Sequence, residues 1–290
     1  MNKILRITLC AALALCLLCT AALAEEQLLA QYRVKERTFP EDVLCEICFS
    51  GFDGKVEEQN NRADKQRGWV LKGSSGAPFC GTGPITDRAE GIQGEFRIFR
   101  VNDEGERYYW YNFNSWNTIA EESGFDAPMA ENTIRQARIL LERLGVTDVE
   151  PVFFSTMGSM EGATKCYKAV LRQTLNGLPV YWGQSVMVEV NYGDFNIAEG
   201  CEATVIYSNE DGLLKASGYF CDFKPIGPQV GSVTQAEAAA KFAEVGLTTS
   251  APEHCYLLSL DGNLATATLA WRVANTYLSA VTGEWLQLGN

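Results

Sequence analysis

The chain holds a single histidine, His254, among 290 residues. That leaves no set of imidazoles for a multi-histidine metal centre, and only one base for a histidine-assisted serine or cysteine nucleophile. Basic residues are also scarce, with 24 Lys and Arg against 36 Asp and Glu for a net charge of −12. Lys3 and Arg6 both precede Glu25, so the remainder is more acidic still, which disfavours a nucleic-acid partner. Beyond residue 24 no apolar run approaches the roughly 18 residues that a membrane-crossing helix needs. G-x-S-x-G and H-E-x-x-H are absent, as is S-x-x-K with its supporting motifs, and Gly73-Ser74-Ser75-Gly76 reads as a plain flexible loop. The acid pairs Glu57-Glu58 and Glu121-Glu122 read as solvated faces, although glycosidase work needs only two carboxylates set by the fold. The expectation is a chain that is not an enzyme and holds no cofactor or metal. At 47% hydrophobic and 21% charged residues it is too apolar for intrinsic disorder.

The N-terminus addresses the compartment. Met1 to Arg6 is short and basic, Ile7 to Leu18 is nearly all apolar, and Ala22-Leu23-Ala24 supplies small residues at −3 and −1 of a signal-peptidase site before Glu25. Residues 1–24 are expected to be a cleaved secretory signal; the alternative is an uncleaved anchor over Ile7 to Ala24. Cys10, Cys16 and Cys19 follow leucines rather than the small residue that lipid attachment needs. The mature chain is expected to be secreted or extracytoplasmic, soluble and without a membrane span.

Seven cysteines remain after the signal: Cys45, Cys48, Cys80, Cys166, Cys201, Cys221 and Cys255. An odd number leaves at least one free or paired with another molecule, and without oxygen all seven would be thiols. Residues 202–208 and 213–220 read as strands joined by Glu210-Asp211-Gly212, a three-residue hairpin loop whose register sets Cys201 opposite Cys221 as a disulfide candidate. Cys45-Glu46-Ile47-Cys48 is a C-x-x-C. Its readings are a tight local disulfide or two buried thiols, because zinc would need a second ligand pair and His254 would have to come from across the fold.

Organisation falls into two halves. Residues 25–127 form a β-rich α+β stretch with a short helix or strand around Asp42 to Phe49 and a hairpin of residues 95–101 and 107–113. Tyr109, Trp110, Tyr111 and Trp116 lie in or just after its second strand, and read either as an aromatic platform for a glycan or peptide or as a half-buried strand, the latter preferred. Residues 128–290 begin with a helix in which Ile134, Ala137, Leu140, Leu141 and Leu144 recur at helical spacing before Gly145. Strand-like runs follow, with Asn176-Gly177 as a turn. Thr234 with Glu237 makes a capping box ahead of a second helix closed by Gly246, and short strands again follow to the end. The pattern predicts an α+β fold of repeated helix plus antiparallel meander units, about 128–230 and 231–290, each helix packed on one face of a sheet. The N-terminal half reads as a divergent copy.

Residues 171–180, Leu-Arg-Gln-Thr-Leu-Asn-Gly-Leu-Pro-Val, with Val186 to Val190 and Tyr192-Gly193, resemble a pattern of thermolysin-type propeptides and of bacterial YycH/YycI-type regulatory proteins. Ser232 to Ala238 resembles the helix entry of PepSY-like modules, and Leu269 to Val273, Tyr277 to Ala280 and Thr282 to Glu284 resemble their closing strands. The likeness covers roughly residues 128–290 and rests on turns and strand positions. It implies an exported, non-catalytic module that binds or restrains a cell-envelope protein, either a peptidase or a sensor kinase. The chain departs from the regulators in its cleavable N-terminus and from the propeptides in having no catalytic domain behind it. The alternative function is carbohydrate binding through residues 108–116.

Overall fold

The computed structural model describes residues 31–61, 66–73, 78–84, 94–100, 127–158, 165–191, 194–208, 212–226, 231–248, 250–261 and 264–286. Tyr109, Trp110, Tyr111 and Trp116 lie outside them, as does residues 107–113, the second strand of the expected hairpin.

Where a sequence run carries alternating side chains it forms a strand, and the short links between such runs make hairpins. β1 (Gln31–Glu36) buries Tyr32 and Val34 and exposes Arg33 and Lys35. β2 (Lys55–Asn61), β3 (Gln66–Lys72), β4 (Phe79–Pro84) and β5 (Gly94–Phe99) follow as an antiparallel succession. After them come β6 (Val149–Gly158), β7 (Lys165–Leu175), β8 (Leu178–Asn191), β9 (Asp194–Gly200), β10 (Glu202–Ser208) and β11 (Gly212–Pro225). The last four are β12 (Glu253–Asp261), β13 (Leu264–Val273), β14 (Thr276–Ser279) and β15 (Trp285–Leu286).

Three helices pack against this sheet among the described residues. α1 (Glu41–Phe49) buries Leu44, Ile47 and Cys48 on one face, and Glu41 and Asp42 place negative charge at its N-terminus, where the helix dipole favours it. α2 (Ala127–Arg143) buries Ala130, Ala137, Leu140 and Leu141. It ends in a Schellman motif, with Val146 N–H donating to the Leu141 carbonyl at 2.8 Å and Gly145 at φ 79°. Arg37, just past β1, donates to the Gly145 carbonyl and pairs with Asp222 of β11 at 3.0 Å, so one guanidinium ties a helix end to two strands. α3 (Gln235–Glu244) starts with the expected capping box: Thr234 Oγ1 accepts from the Glu237 N–H, and Glu237 Oε2 accepts from the Thr234 N–H at 2.8 Å. Thr234→Ala is expected to destabilise the fold by about 1 kcal/mol, with Thr234→Ser near neutral; urea unfolding of the two variants checks this.

The repeated helix-and-meander plan does not hold. The strands join into one mixed, 15-stranded sheet, and only three helices accompany it among the described residues. The pairings β7–β10, β10–β11, β11–β1, β1–β13, β13–β12, β12–β8 and β8–β7 close on themselves as a ring. Three of these pairings could not be expected from sequential meanders. β1 runs antiparallel to both β11 and β13, and β12 lies parallel to β8, with Tyr256 opposite Val180. β5 finds its partners in β4 and β11, with Phe96 opposite both Thr82 and Gly218. A Cβ added to Gly94 would stand 1.7 Å from the Arg37 carbonyl oxygen, so glycine is what lets the start of β5 pass the end of β1.

One hydrophobic cluster takes side chains from β1 through Ala280, with Phe39, Phe96 and Phe220 at its centre. The Phe39 and Phe96 rings meet edge-on at 5.1 Å, and Phe96 stacks on Phe220 at 6.4 Å. A smaller cluster of Tyr181, Cys255, Leu257, Ala270 and Tyr277 sits apart from it.

Candidate functional site

Two rows of charged side chains run across the strands and meet over one tyrosine. In the first, the ladder aligns Glu150 of β6, Arg172 of β7 and Glu202 of β10. In the second, it aligns Glu253 of β12, Arg272 of β13 and Tyr277 of β14. Tyr181 of β8 stands between them, with the Arg172 guanidinium 4.4 Å and the Arg272 guanidinium 3.8 Å from its ring centroid. A ring flanked by two cations stabilises both through its quadrupole, the more so because the site is largely closed to water.

Hydrogen bonds complete the arrangement. Arg172 Nε and Nη2 both donate to Glu202 Oε1, at 2.8 and 2.6 Å, and Arg172 Nη1 donates to the Tyr181 hydroxyl at 2.7 Å. That hydroxyl donates to Glu253 Oε2 at 3.0 Å. Arg272 donates to Glu253 at 3.3 Å and to Glu199, the end of β9, at 3.0 Å. Glu199 also lies 3.7 Å from Arg172, so it bridges the two guanidinium groups. Arg172 and Glu202 side chains are only 10% and 9% exposed, whereas Glu253 is 46% exposed. The cations therefore lie inside and the surplus carboxylates face outward.

Burial governs the protonation of this cluster. Desolvation pushes the Tyr181 phenol well above its ordinary value and Tyr277 up to about 12, so both remain hydroxyls at neutral pH. Burial also raises the carboxyls of Glu150 and Glu202 against the opposing pull of Arg172. What the arrangement does chemically is hold two guanidinium groups rigidly beneath an acidic rim of Glu150, Glu199 and Glu253, a surface complementary to a cationic side chain.

Glu150 belongs to β6, which pairs with β7 alone among the described residues. Among the described residues, the outer side of β6 is therefore an unpaired strand edge. Val152 and Phe153 are 38% and 51% exposed, and the ladder bulges between Pro151 and Phe153. Lys168 Nζ lies 5.9 Å from the Phe153 ring centroid, while Phe154 stacks on Tyr167. An apolar patch and one carboxylate of the acidic rim, Glu150, thus share a strand whose outer side is unpaired among the described residues.

The cysteine candidates are brought into specific neighbourhoods, and all seven described cysteines are thiols. Cys201 and Cys221 are buried with their sulfurs 3.7 Å apart. The register differs by one residue from the one expected, Ala203 standing opposite Gly218 with an irregularity at Ile206 and Tyr207. Gln173 explains why the two still meet. Its backbone N–H donates to the Cys201 carbonyl, and its buried side-chain amide donates to the Cys221 carbonyl at 2.8 Å and accepts from the Cys221 N–H at 3.0 Å. Cys45 and Cys48 lie on α1; Cys45 Sγ is 3.8 Å from Cys80 Sγ, and Cys48 donates to the Phe79 carbonyl at 3.0 Å. Burial together with Cys80 pushes the Cys45 thiol up to about 12, which opposes the thiolate that a metal would require. Among the described residues no group of three or more His, Cys, Asp or Glu is placed to hold a metal ion. His254, the second residue of β12, lies half-buried and stacks on Trp271 at 4.2 Å.

The residues of the Tyr181 cluster were not singled out in the sequence because they are spread from Glu150 to Tyr277. The available signal was Arg272, a lone cation inside the apolar run Leu269 to Val273, and Arg172, which directly follows the apolar run Ala169 to Leu171. Such an arginine must meet a partner where it is buried. No family model, curated protein or solved structure matches the chain.

Proposed function

We propose that the protein is an exported, non-catalytic binding module that holds an extended segment of a cell-envelope protein along the open edge of β6. The observation that carries this reading is the β6 edge itself, where Val152 and Phe153 are exposed beside a strand side that is unpaired among the described residues. Strand addition supplies main-chain hydrogen bonds to such an edge, and side-chain pockets supply its selectivity. The segment that fits places an apolar residue over Phe153 and a lysine or arginine against Glu150 and its acidic neighbours. Export is supported by the basic, apolar and A-x-A pattern of residues 1–24. The choice of a sensor kinase or peptidase as partner rests on the resemblance of residues 171–193 and 232–284 to propeptide and regulator modules. No observation favours the carbohydrate alternative, whose aromatic residues lie outside those described.

The test compares immobilised protein with its Phe153→Asp variant, shown to melt at the same temperature, for capture from the host's envelope extract. A kinase or peptidase retained by the parent and reduced about tenfold or more by the variant, a difference of 1.4 kcal/mol or more in binding, is the expected result. Equal retention by both, or retention by neither, overturns the reading.

A further inference from the structure

We propose that Cys45, Cys48 and Cys80 form a thiol–disulfide exchange site, in which Cys45 and Cys80 are the pair that oxidises and Cys48 is a resident third thiol. The inference stands apart from the binding function above and departs from the local bond that the C-x-x-C spacing suggests. Cys45 and Cys48 lie three residues apart on α1, so both face the same neighbour, β4. On β4, Cys80 presents its sulfur to Cys45 at 3.8 Å. The Cys48 S–H is directed instead at main-chain oxygens, those of Phe79 at 3.0 Å and Phe99 at 3.5 Å. Its sulfur also borders Cys80. Cys48 and Cys80 are fully buried, whereas Cys45 is partly open, so a reagent arriving from solvent meets Cys45 first.

The chemistry balances with a disulfide donor as the oxidant. Cys45 first gives up its proton, a loss that burial and Cys80 confine to a small fraction of molecules near neutral pH, so exchange quickens as pH rises. Its sulfur attacks one donor sulfur, forming a mixed disulfide and releasing one donor thiol. Cys80 then loses its proton and attacks Cys45 Sγ, which breaks the mixed disulfide and releases the second donor thiol. Two protein thiols are oxidised and one donor disulfide is reduced. Attack of Cys48 on Cys80 Sγ would subsequently expel Cys45 as a thiol, moving the bond without net oxidation. The bond joins α1 to β4 and encloses the β2–β3 hairpin in a covalent loop, which restricts the unfolded chain more than a bond across two intervening residues would.

The experiment uses the full chain, reduced and then equilibrated with reduced and oxidised glutathione. Thiols are blocked with N-ethylmaleimide under acid quench, and the protein is digested with trypsin and a glutamate-specific protease. Cleavage after Glu46 puts Cys45 and Cys48 on separate peptides, so each linkage has its own mass. The expected result is Cys45 linked to Cys80 in most molecules, with Cys48 alkylated. In Cys45→Ser the linkage is expected to move to Cys48 and Cys80, and in Cys48→Ala to stay at Cys45 and Cys80. A predominant Cys45–Cys48 bond, or alkylation of all three cysteines in the parent chain, overturns the proposal, and the parent chain alone decides this if a variant fails to fold.

Discussion

Arg172→Met is expected to remove about 3–5 kcal/mol of stability, the loss that follows when one partner of a buried ion pair is deleted and the other is left inside. Glu202 is the group left behind, since both of its short hydrogen bonds from a side chain come from Arg172. The same guanidinium also supplies the Tyr181 hydroxyl with its donor and covers one face of that ring, so the loss reaches β8 and, through Glu253, β12. Thermal unfolding should fall by about 10 °C for a chain of this size. Arg172→Met with Glu202→Leu is expected to recover most of the loss, because two apolar side chains of similar volume leave no charge to desolvate. Urea unfolding of the parent, the two single variants and the double variant measures the coupling directly. A single-variant loss below about 1 kcal/mol would mean that Arg172 behaves as a solvated surface pair.

Gln173→Leu is expected to cost about 2–5 kcal/mol, from two main-chain groups that lose their partners at once. Its amide stands in for a neighbouring strand where the β10 ladder ends: Cys221 gives its N–H to the Gln173 oxygen and receives the Gln173 N–H on its carbonyl. Gln173 and Cys221 are both buried, so water does not replace those bonds. Gln173→Glu keeps the acceptor for the Cys221 N–H but sets a carboxylate against the Cys221 carbonyl, and a comparable loss is expected. Hydrogen exchange at the Cys221 amide provides a local readout, with protection lost in Gln173→Leu before the sheet as a whole opens. Retained protection with unchanged unfolding would show that β11 holds this position without the glutamine.

Features written in a few consecutive residues were legible before any coordinates. Thr234 and Glu237 cap α3 as expected, Gly145 and Gly246 close their helices in left-handed conformations, and Asn176-Gly177 turns β7 into β8 with both residues at positive φ. Asn176 does more than turn the chain, since its amide donates to the hydroxyls of Tyr32 and Tyr256. Partner choice was not legible, because period-two alternation tells which face of a strand is buried and leaves open which strand lies beside it. The helix-and-meander expectation assumed that strands pair with their sequence neighbours. β1 instead pairs with strands near the far end of the chain, and β12 pairs with β8 across an intervening β9, β10, β11 and α3. The candidate site shares this cause, for Arg172 and Tyr181, joined by the local β7–β8 hairpin, meet Glu253 and Arg272 only through those non-local pairings. Gln173 and the Cys201–Cys221 neighbourhood were half visible: the hairpin set the two cysteines near each other, while the glutamine that fixes their approach comes from a third strand.

The ring of strand pairings also prescribes an order of events. Tyr32 of β1 stands opposite Pro225 of β11 and Ala267 of β13, so the strand that closes the circle is synthesised long before either neighbour exists. β11 is complete about 190 residues after β1 and β13 about 240, lengths at which chains commonly fold through populated intermediates, so β1 has both edges bare until the first has appeared and one edge bare until the second. Closure by contacts of such long sequence separation is slow, because the loop entropy is lost before any pairing compensates for it. Of the described strands β1 is thus the first made and the last seated, and the interval between the two is when this chain is most open to a chaperone, a protease or another copy of itself.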